Sequence, residues 1–183
     1  MSHNRTSSEI IDFWFSKRVK PKWFTKSAKF DREIKQRFLT TYSLAKNGTL
    51  DAWRDNPQDT LALIILLDQF PRNMFRNTPQ AFATDEKAVE LTKYAVSQNY
   101  QQKLSNEQQV FLYMPLMHSE NQTDQAKCVE LFDELEKGEN LKFALKHQEV
   151  VERFGRFPHR NQILGRQSTT AEREFLTQPG SSF

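Results

Sequence analysis

An all-α fold is predicted by three observations. Apolar residues recur every three or four positions in nearly every segment, alternation of period two is scarcely found, and glycine is scarce, with five in 183 residues. Few glycines leave little material for tight turns between strands and favour helices joined by short links. The expected architecture is a single helical domain over residues 1–183, built of about 8–10 helices in antiparallel hairpins, with residues 1–6 a loose N-terminal tail.

Each element has its own signature. Thr6-x-x-Glu9 has the form of a capping box, in which hydroxyl and carboxylate satisfy each other's backbone amides. Ile10, Ile11, Phe13, Trp14 and Phe15 follow it as a short, strongly apolar first helix. Pro21 and the pair Trp23-Phe24 interrupt the pattern. From Ser27 the apolar positions Phe30, Ile34, Phe38, Tyr42 and Ala45 fall nearly four apart, one stripe on a long amphipathic helix that Asn47-Gly48 stops. Asn56-Pro57 supplies an N-cap and the proline favoured in a first turn. The central helix it opens is apolar on every face from Leu61 to Leu67, so neighbours must surround it, and Asp68-Gln69-Phe70-Pro71 is its expected end. Thr78-Pro79 or Thr84-Asp85 opens the next helix, running to about Asn99. Ser105 caps another carrying Phe111, Leu112, Met114 and Met117, which Pro115 should kink or end because proline lacks an amide hydrogen. Two amphipathic helices follow, from Thr123 to Gly138 and from Asn140 to Phe154, the second stopped by Gly155. Thr169-x-x-Glu172 caps a short last helix before Pro179.

Composition bounds the function. A chain of this size buries roughly two-thirds of its unfolded surface and needs no staple. The single cysteine, Cys128, cannot pair within the chain, and a reducing, cytoplasmic location is expected. The longest apolar run has seven residues, Leu61 to Leu67, against the roughly 20 that span a bilayer, so no membrane partner is expected. Fifteen Phe, three Trp and four Tyr stand against a mean hydropathy of −0.74, so a few large rings must supply much of the core. A net charge of +3 is too mild for a generic polyanion binder. Neither Gly-x-Gly-x-x-Gly nor Gly-x-x-x-x-Gly-Lys-Ser/Thr is present, which excludes the usual dinucleotide and P-loop sites.

The run from Arg153 to Arg166 is read as the chain's main concentration of unpaired positive charge. It holds Arg153, Arg156, His159, Arg160 and Arg166, and no acidic residue occurs from Arg153 through Ala171. No lysine follows Lys146, and arginine's planar fork suits carboxylate and phosphate. Two readings compete: an anion-binding pocket, or an internal network in which Asp68, Glu120, Glu149, Glu152 or Glu172 folds back onto the arginines. Phe70-Pro71-Arg72-Asn73 echoes Phe157-Pro158-His159-Arg160-Asn161, and a shared pocket of the two corners would add Arg72, Asn73 and Asn161 to the site. His118, Glu120 and His147 are the other polar candidates, with His118 near Glu120 as a conceivable acid–base pair. Their spacing matches no zinc motif, and no metal or other cofactor is expected. Ser168, Thr169 and Thr170 read as helix caps, Cys128 as a core thiol, and the terminal Phe183 as a ring docked on the body.

Asp12-Phe13-Trp14-Phe15, Leu66-Leu67-Asp68-Gln69-Phe70-Pro71-Arg72-Asn73, Tyr113-Met114-Pro115-Leu116-Met117-His118-Ser119-Glu120 and Arg153-Phe154-Gly155-Arg156-Phe157-Pro158-His159-Arg160-Asn161 resemble the bacterial family called domain of unknown function 924. The resemblance covers Ile10 to Phe183 and departs at Ser16, where the family has glycine. It implies a fold similar to tetratricopeptide-repeat proteins, antiparallel helix pairs in a superhelical array. It implies no activity and carries over no catalytic residue. The function expected from these residues is a binding module. Its pocket of Arg72, Asn73, His118, Glu120, His147, Arg153, Arg156, His159, Arg160, Asn161 and Arg166 would take an anionic small molecule or a peptide or protein end. The alternatives are an enzyme acting on a phosphoester or acyl group through a histidine, a purely structural arginine network, and RNA binding, which the acidic helices elsewhere disfavour.

Overall fold

The computed structural model describes residues 5–135 and 138–182. Among them are nine α-helices and no strand: α1 Ser7–Trp14, α2 Ala28–Lys46, α3 Pro57–Ile64, α4 Phe70–Met74, α5 Asp85–Ser97, α6 Asn106–His118, α7 Gln122–Leu135, α8 Glu139–Phe154 and α9 Thr170–Leu176. The all-helical class predicted from periodicity is therefore correct. Helix starts follow the sequence closely. Both capping boxes form, Thr6 with Glu9 and Thr169 with Glu172. The Asn56 side chain accepts from the amides of Gln58 and Asp59. The start of α7 is set by Asn121, whose carbonyl oxygen accepts from the Thr123 amide at 2.8 Å, rather than by Thr123. Gly48 (φ 85) and Gly155 (φ 69) stop α2 and α8 in the left-handed region that only glycine enters without strain. Phe183, expected to dock on the body, lies outside the described residues.

The described residues group into two compact units. One holds everything up to Arg76 together with Gln80–Pro115; the other holds Asn77–Pro79 and everything from Leu116 onward. In the first, α1 packs on α3 and α2 on α4. Its core is aromatic: the Phe13 ring lies 4.9 Å from Phe38, Phe38 lies 4.7 Å from Phe70, and Trp14 meets Phe70 and Phe111 edge-on at 5.5 and 5.6 Å. Such edge and tilted contacts are the geometry that the ring quadrupole favours. The run from Leu61 to Leu67 is wholly buried. Arg5, expected in the loose tail 1–6, is instead tied down, its amide donating to Thr41 Oγ1 at 2.9 Å; residues 1–4 of that tail lie outside the described residues.

The central helix does not end at Pro71. It passes from α3 through a π-helical stretch, Ile65–Gln69, into α4, and stops only after Met74. Pro71 has no amide to offer the Leu67 carbonyl one turn back, so that buried oxygen needs another donor. The Thr84 hydroxyl supplies it at 2.6 Å, and the next carbonyl, Asp68, accepts from Arg72 Nη1 at 2.6 Å. Thr84 in consequence makes no side-chain cap for α5, which begins one residue later. Pro115, likewise, lies inside α6 rather than at its end. There the Thr92 hydroxyl donates to the Leu112 carbonyl at 2.9 Å, in the turn that the proline disturbs. Thr84→Val, nearly isosteric, would leave the Leu67 oxygen buried without its donor. The expected cost is about 1–2 kcal/mol in a urea titration, and an unchanged midpoint would show that the carbonyl is satisfied another way.

In the second unit α7 packs along α8, and α9 lies against a short 3₁₀ turn, Pro158–Arg160. Val150, Val151 and the fully buried Phe157 form its apolar centre, with Phe154 and Phe175 packed against them. On α7, Cys128, Leu131 and Phe132 are buried, and burial pushes the Cys128 thiol well above the usual range. It is the core thiol expected from its neighbours.

Candidate functional site

The sequence candidates fall into both units. Arg72 and Asn73 belong to the first and find partners there. The Arg72 fork grips Asp85, Nη1 to Oδ1 at 2.9 Å and Nη2 to Oδ2 at 3.0 Å, while Nη1 also lies 3.1 Å from Asp68 Oδ1. Asn73 donates to Asp31 Oδ1 at 2.8 Å, alongside a two-point contact from Arg76. Burial alone would raise the Asp31 carboxyl, but Arg76 and Asn73 outweigh it and hold it below its ordinary value. This corner is a closed ion-pair lattice. Asp85, absent from the sequence candidates, was signalled only as a helix-opening acid.

His118, Glu120, His147, Arg153, Arg156, His159, Arg160, Asn161 and Arg166 all lie in the second unit. Arg156 and Arg166 are each held on a carboxylate among the described residues, and Glu120 is the hub for Arg166. Its Oε2 accepts from Arg166 Nη1 at 2.6 Å, and its Oε1 accepts from Arg166 Nη2 at 2.9 Å and from the Phe157 amide at 2.8 Å. Burial would raise the Glu120 carboxyl, yet the Arg166 fork and the Phe157 amide bring it below the usual glutamate range. Arg166 makes two further bonds: Nε donates to Asn161 Oδ1 at 3.0 Å, and Nη2 also reaches the Phe157 carbonyl at 3.2 Å. Arg156 does the same for Glu172, Nε to Oε1 at 2.7 Å and Nη2 to Oε2 at 2.9 Å. Those bonds, with the Thr169 amide, hold the buried Glu172 carboxyl down to about 2 against the opposing effect of burial. Of the carboxylates offered for a network folded back onto these arginines, Glu120 and Glu172 join it, whereas Asp68 pairs with Arg72 in the first unit. Glu149 and Glu152 stay on the exposed face of α8.

Arg160 is buried, its guanidinium 4.6 Å from the Phe157 ring centre and its Nη2 donating to the His118 carbonyl at 3.0 Å. Around the same ring sit the histidines: His147 is 5.6 Å from Phe157 and 6.5 Å from His118, and His159 is 5.7 Å from Phe157. The buried His147 donates Nδ1–H to the Phe143 carbonyl at 2.7 Å. Burial, with His118, Arg160 and His159 nearby, pushes it down to about 3, so it is neutral near pH 7 and poorly suited to deliver a proton there. No group of three metal-ligating side chains comes together among the described residues.

Arg153 differs from all of these. It is exposed on the last turn of α8, and its contacts within the described residues are with two rings, Phe154 at 4.7 Å and Phe175 at 5.9 Å from the guanidinium carbon. It opens onto a shallow cleft of about 490 Å³ lined by Arg153, Phe154, Arg156, Thr169, Ala171 and Glu172. Stacking restrains the guanidinium while leaving its donors to solvent. Phe175, half of that platform, was not singled out in the sequence; its signal was its place three residues after Glu172 on the capped helix.

This chain, an all-helical protein with a polar lattice at its helix ends, belongs to the family described as bacterial protein of unknown function, DUF924, whose model matches residues 10–180. It is similar to a solved structure, the protein of unknown function ATU0120 from Agrobacterium tumefaciens. The two are 41% identical over 93% of this chain and 96% of that one, with a TM-score of 0.89. No curated protein matches. No described helix is long and apolar enough to cross a membrane.

Proposed function

We propose that the protein is a binding module whose second unit takes a carboxylate- or phosphate-bearing ligand, a small anion or a peptide end, in the cleft beside Arg153. One observation carries this reading: Arg153 alone of the Arg153–Arg166 arginines has an exposed guanidinium with no carboxylate on it among the described residues, and two rings fix it over a cleft. Arg156 and Arg166 brace the structure around the cleft rather than the ligand. Arg156 holds Glu172 and hence the start of α9, while Arg166 and Glu120 hold the loop between Phe157 and Ser168. A cytoplasmic location suits a protein whose one thiol is buried.

The test is thermal stabilisation by a panel of phosphates, citrate and short peptides with free carboxyl ends. A ligand bound by the native state alone raises the melting temperature. Arg153→Ala is expected to melt within about 0.5 kcal/mol of the parent without ligand, as surface substitutions do, and to lose the ligand-dependent rise. Arg156→Ala should lower stability in both conditions, because it strands the buried Glu172 carboxylate. A parent protein that no member of the panel stabilises would overturn the binding reading.

The histidines around Phe157 favour a second reading, an enzyme in which His118 or His159 moves a proton while an arginine steadies developing negative charge. Turnover of a phosphoester or acyl substrate that disappears in a folded His118→Ala variant would establish it.

A further inference from the structure

The mild net charge of the chain hides a steep asymmetry. Between Lys17 and Arg37 stand nine Lys and Arg against two acidic residues, Asp31 and Glu33, a local excess of seven in a chain whose total is +3. From Lys17 through Lys29 there are six cations and no acid, a denser run than Arg153 to Arg166. The two carboxylates are already occupied. Asp31 is held by Asn73 and Arg76, and Glu33 by Arg18 at 2.6 Å with Arg37 at 3.6 Å. Other cations of the stretch are engaged too: Lys20 pairs with Glu107, Lys22 lies over the Phe30 ring, Lys35 over Phe75 and Arg37 over Phe13. Lys17, Lys26, Lys29 and Arg32 are exposed and have no ion pair, hydrogen bond or ring contact among the described residues.

Within this field sits Phe24, 74% exposed, the most exposed large hydrophobic residue among those described. The chain does not leave it there through slackness. Trp23 beside it is anchored, its Nε1–H donating to the Trp14 carbonyl at 3.0 Å and its indole 4.5 Å from Phe111. Phe24 meets Trp23 edge-on at 6.4 Å, and the Thr25 hydroxyl closes the turn onto the Lys22 carbonyl at 3.2 Å. An anchored turn thus presents one ring outward, with Lys22 and Lys26 on either side of it in sequence.

We infer that the turn from Lys17 to Lys26, with the first turns of α2, is a docking surface for an anionic lipid bilayer, the Phe24 ring entering the headgroup layer and the four uncommitted cations facing lipid charge. Charge complementarity fixes the sign of the partner. Its kind follows from the side chains. Three of the four uncommitted cations are lysines, compact point charges that suit a diffuse negative surface better than a phosphate needing a two-point grip. Single-stranded nucleic acid is captured by several rings stacking successive bases along a groove, whereas Phe15 and Trp23 are partly covered and packed on Phe111, leaving a single ring outward. Peripheral docking of this kind needs no spanning helix, so the absence of a long apolar segment does not bear on it.

Co-sedimentation of the full chain with vesicles tests the inference. Binding is expected to vesicles of one part phosphatidylglycerol to three of phosphatidylcholine in 0.1 M salt, and not to phosphatidylcholine alone. Phe24→Ala should weaken it roughly tenfold, and Lys26→Glu with Lys29→Glu at least roughly tenfold. All these positions are exposed, and unchanged thermal melts would confirm that the variants fold. The inference is overturned if the parent ignores the anionic vesicles, if it binds them equally with Phe24 or the lysines replaced, or if it captures a single-stranded RNA oligomer while leaving the vesicles unbound.

Discussion

Arg166→Ala is expected to cost about 3 kcal/mol of folding stability, read as a lower urea midpoint at unchanged slope. The substitution removes four hydrogen bonds at once, two to Glu120 and one each to Asn161 and the Phe157 carbonyl. It leaves Glu120, half-buried, with the Phe157 amide as its remaining described donor. Glu120 retains some access to water, which places the cost at the lower end of that for a broken buried pair. Arg166→Lys keeps the charge but loses the fork, and should recover less than half of the loss. In a double-mutant cycle with Glu120→Ala the coupling should exceed about 1 kcal/mol. A loss below about 0.5 kcal/mol for Arg166→Ala would reduce the pair to an ordinary surface contact.

The second large effect is loss of stability on mild acidification. His147 titrates near the ordinary 6.5 when unfolded but is pushed down to about 3 in the fold, so the unfolded chain binds a proton that the native state refuses. Its contribution is complete above pH 6.5 and is lost as pH falls toward 3, at about 1.4 kcal/mol per pH unit once the unfolded histidine is protonated. The groups around it are His118, His159 and Arg160, so its proton would arrive beside existing positive charge. Glu120 and Glu172, held low by their arginines, act in the same sense only below the ordinary glutamate value of 4.5. The interval from 6.5 to 4.5 therefore separates the histidine from them. His147→Asn, which keeps an N–H for the Phe143 carbonyl and cannot titrate, should flatten stability against pH across that interval. An equal slope in parent and variant would assign the acid sensitivity elsewhere.

Helix starts were legible in the sequence because caps are local chemistry: Thr6 with Glu9, Asn56 with Pro57 and Thr169 with Glu172 act within a few residues. Helix ends at prolines were not. Pro71 looks like a stop and Pro115 like a kink or a stop, and only the hydroxyls of Thr84 and Thr92, 13 and 23 residues away in sequence, accompany their place inside a helix. The arginine-rich run is legible as a cluster, but its members are sorted by contacts that no local pattern encodes. Glu120 reaches Arg166 over 46 residues and Glu172 reaches Arg156 over 16, while Arg153 is left to two rings. The basic stretch from Lys17 is hidden for a plainer reason. Whole-chain net charge averages it against acidic helices elsewhere, and a sliding count would have found it.

The lone cysteine offers a way to watch the second unit move. A thiol that is fully covered on α7 and strongly disfavoured as thiolate can meet an alkylating reagent only when α7 lifts from its neighbours. Its labelling rate in native buffer, divided by that of the unfolded chain, becomes a clock for local opening that needs no introduced probe. Rates that track global unfolding would make α7 part of the last structure to melt; faster rates would mark it as a separately opening element.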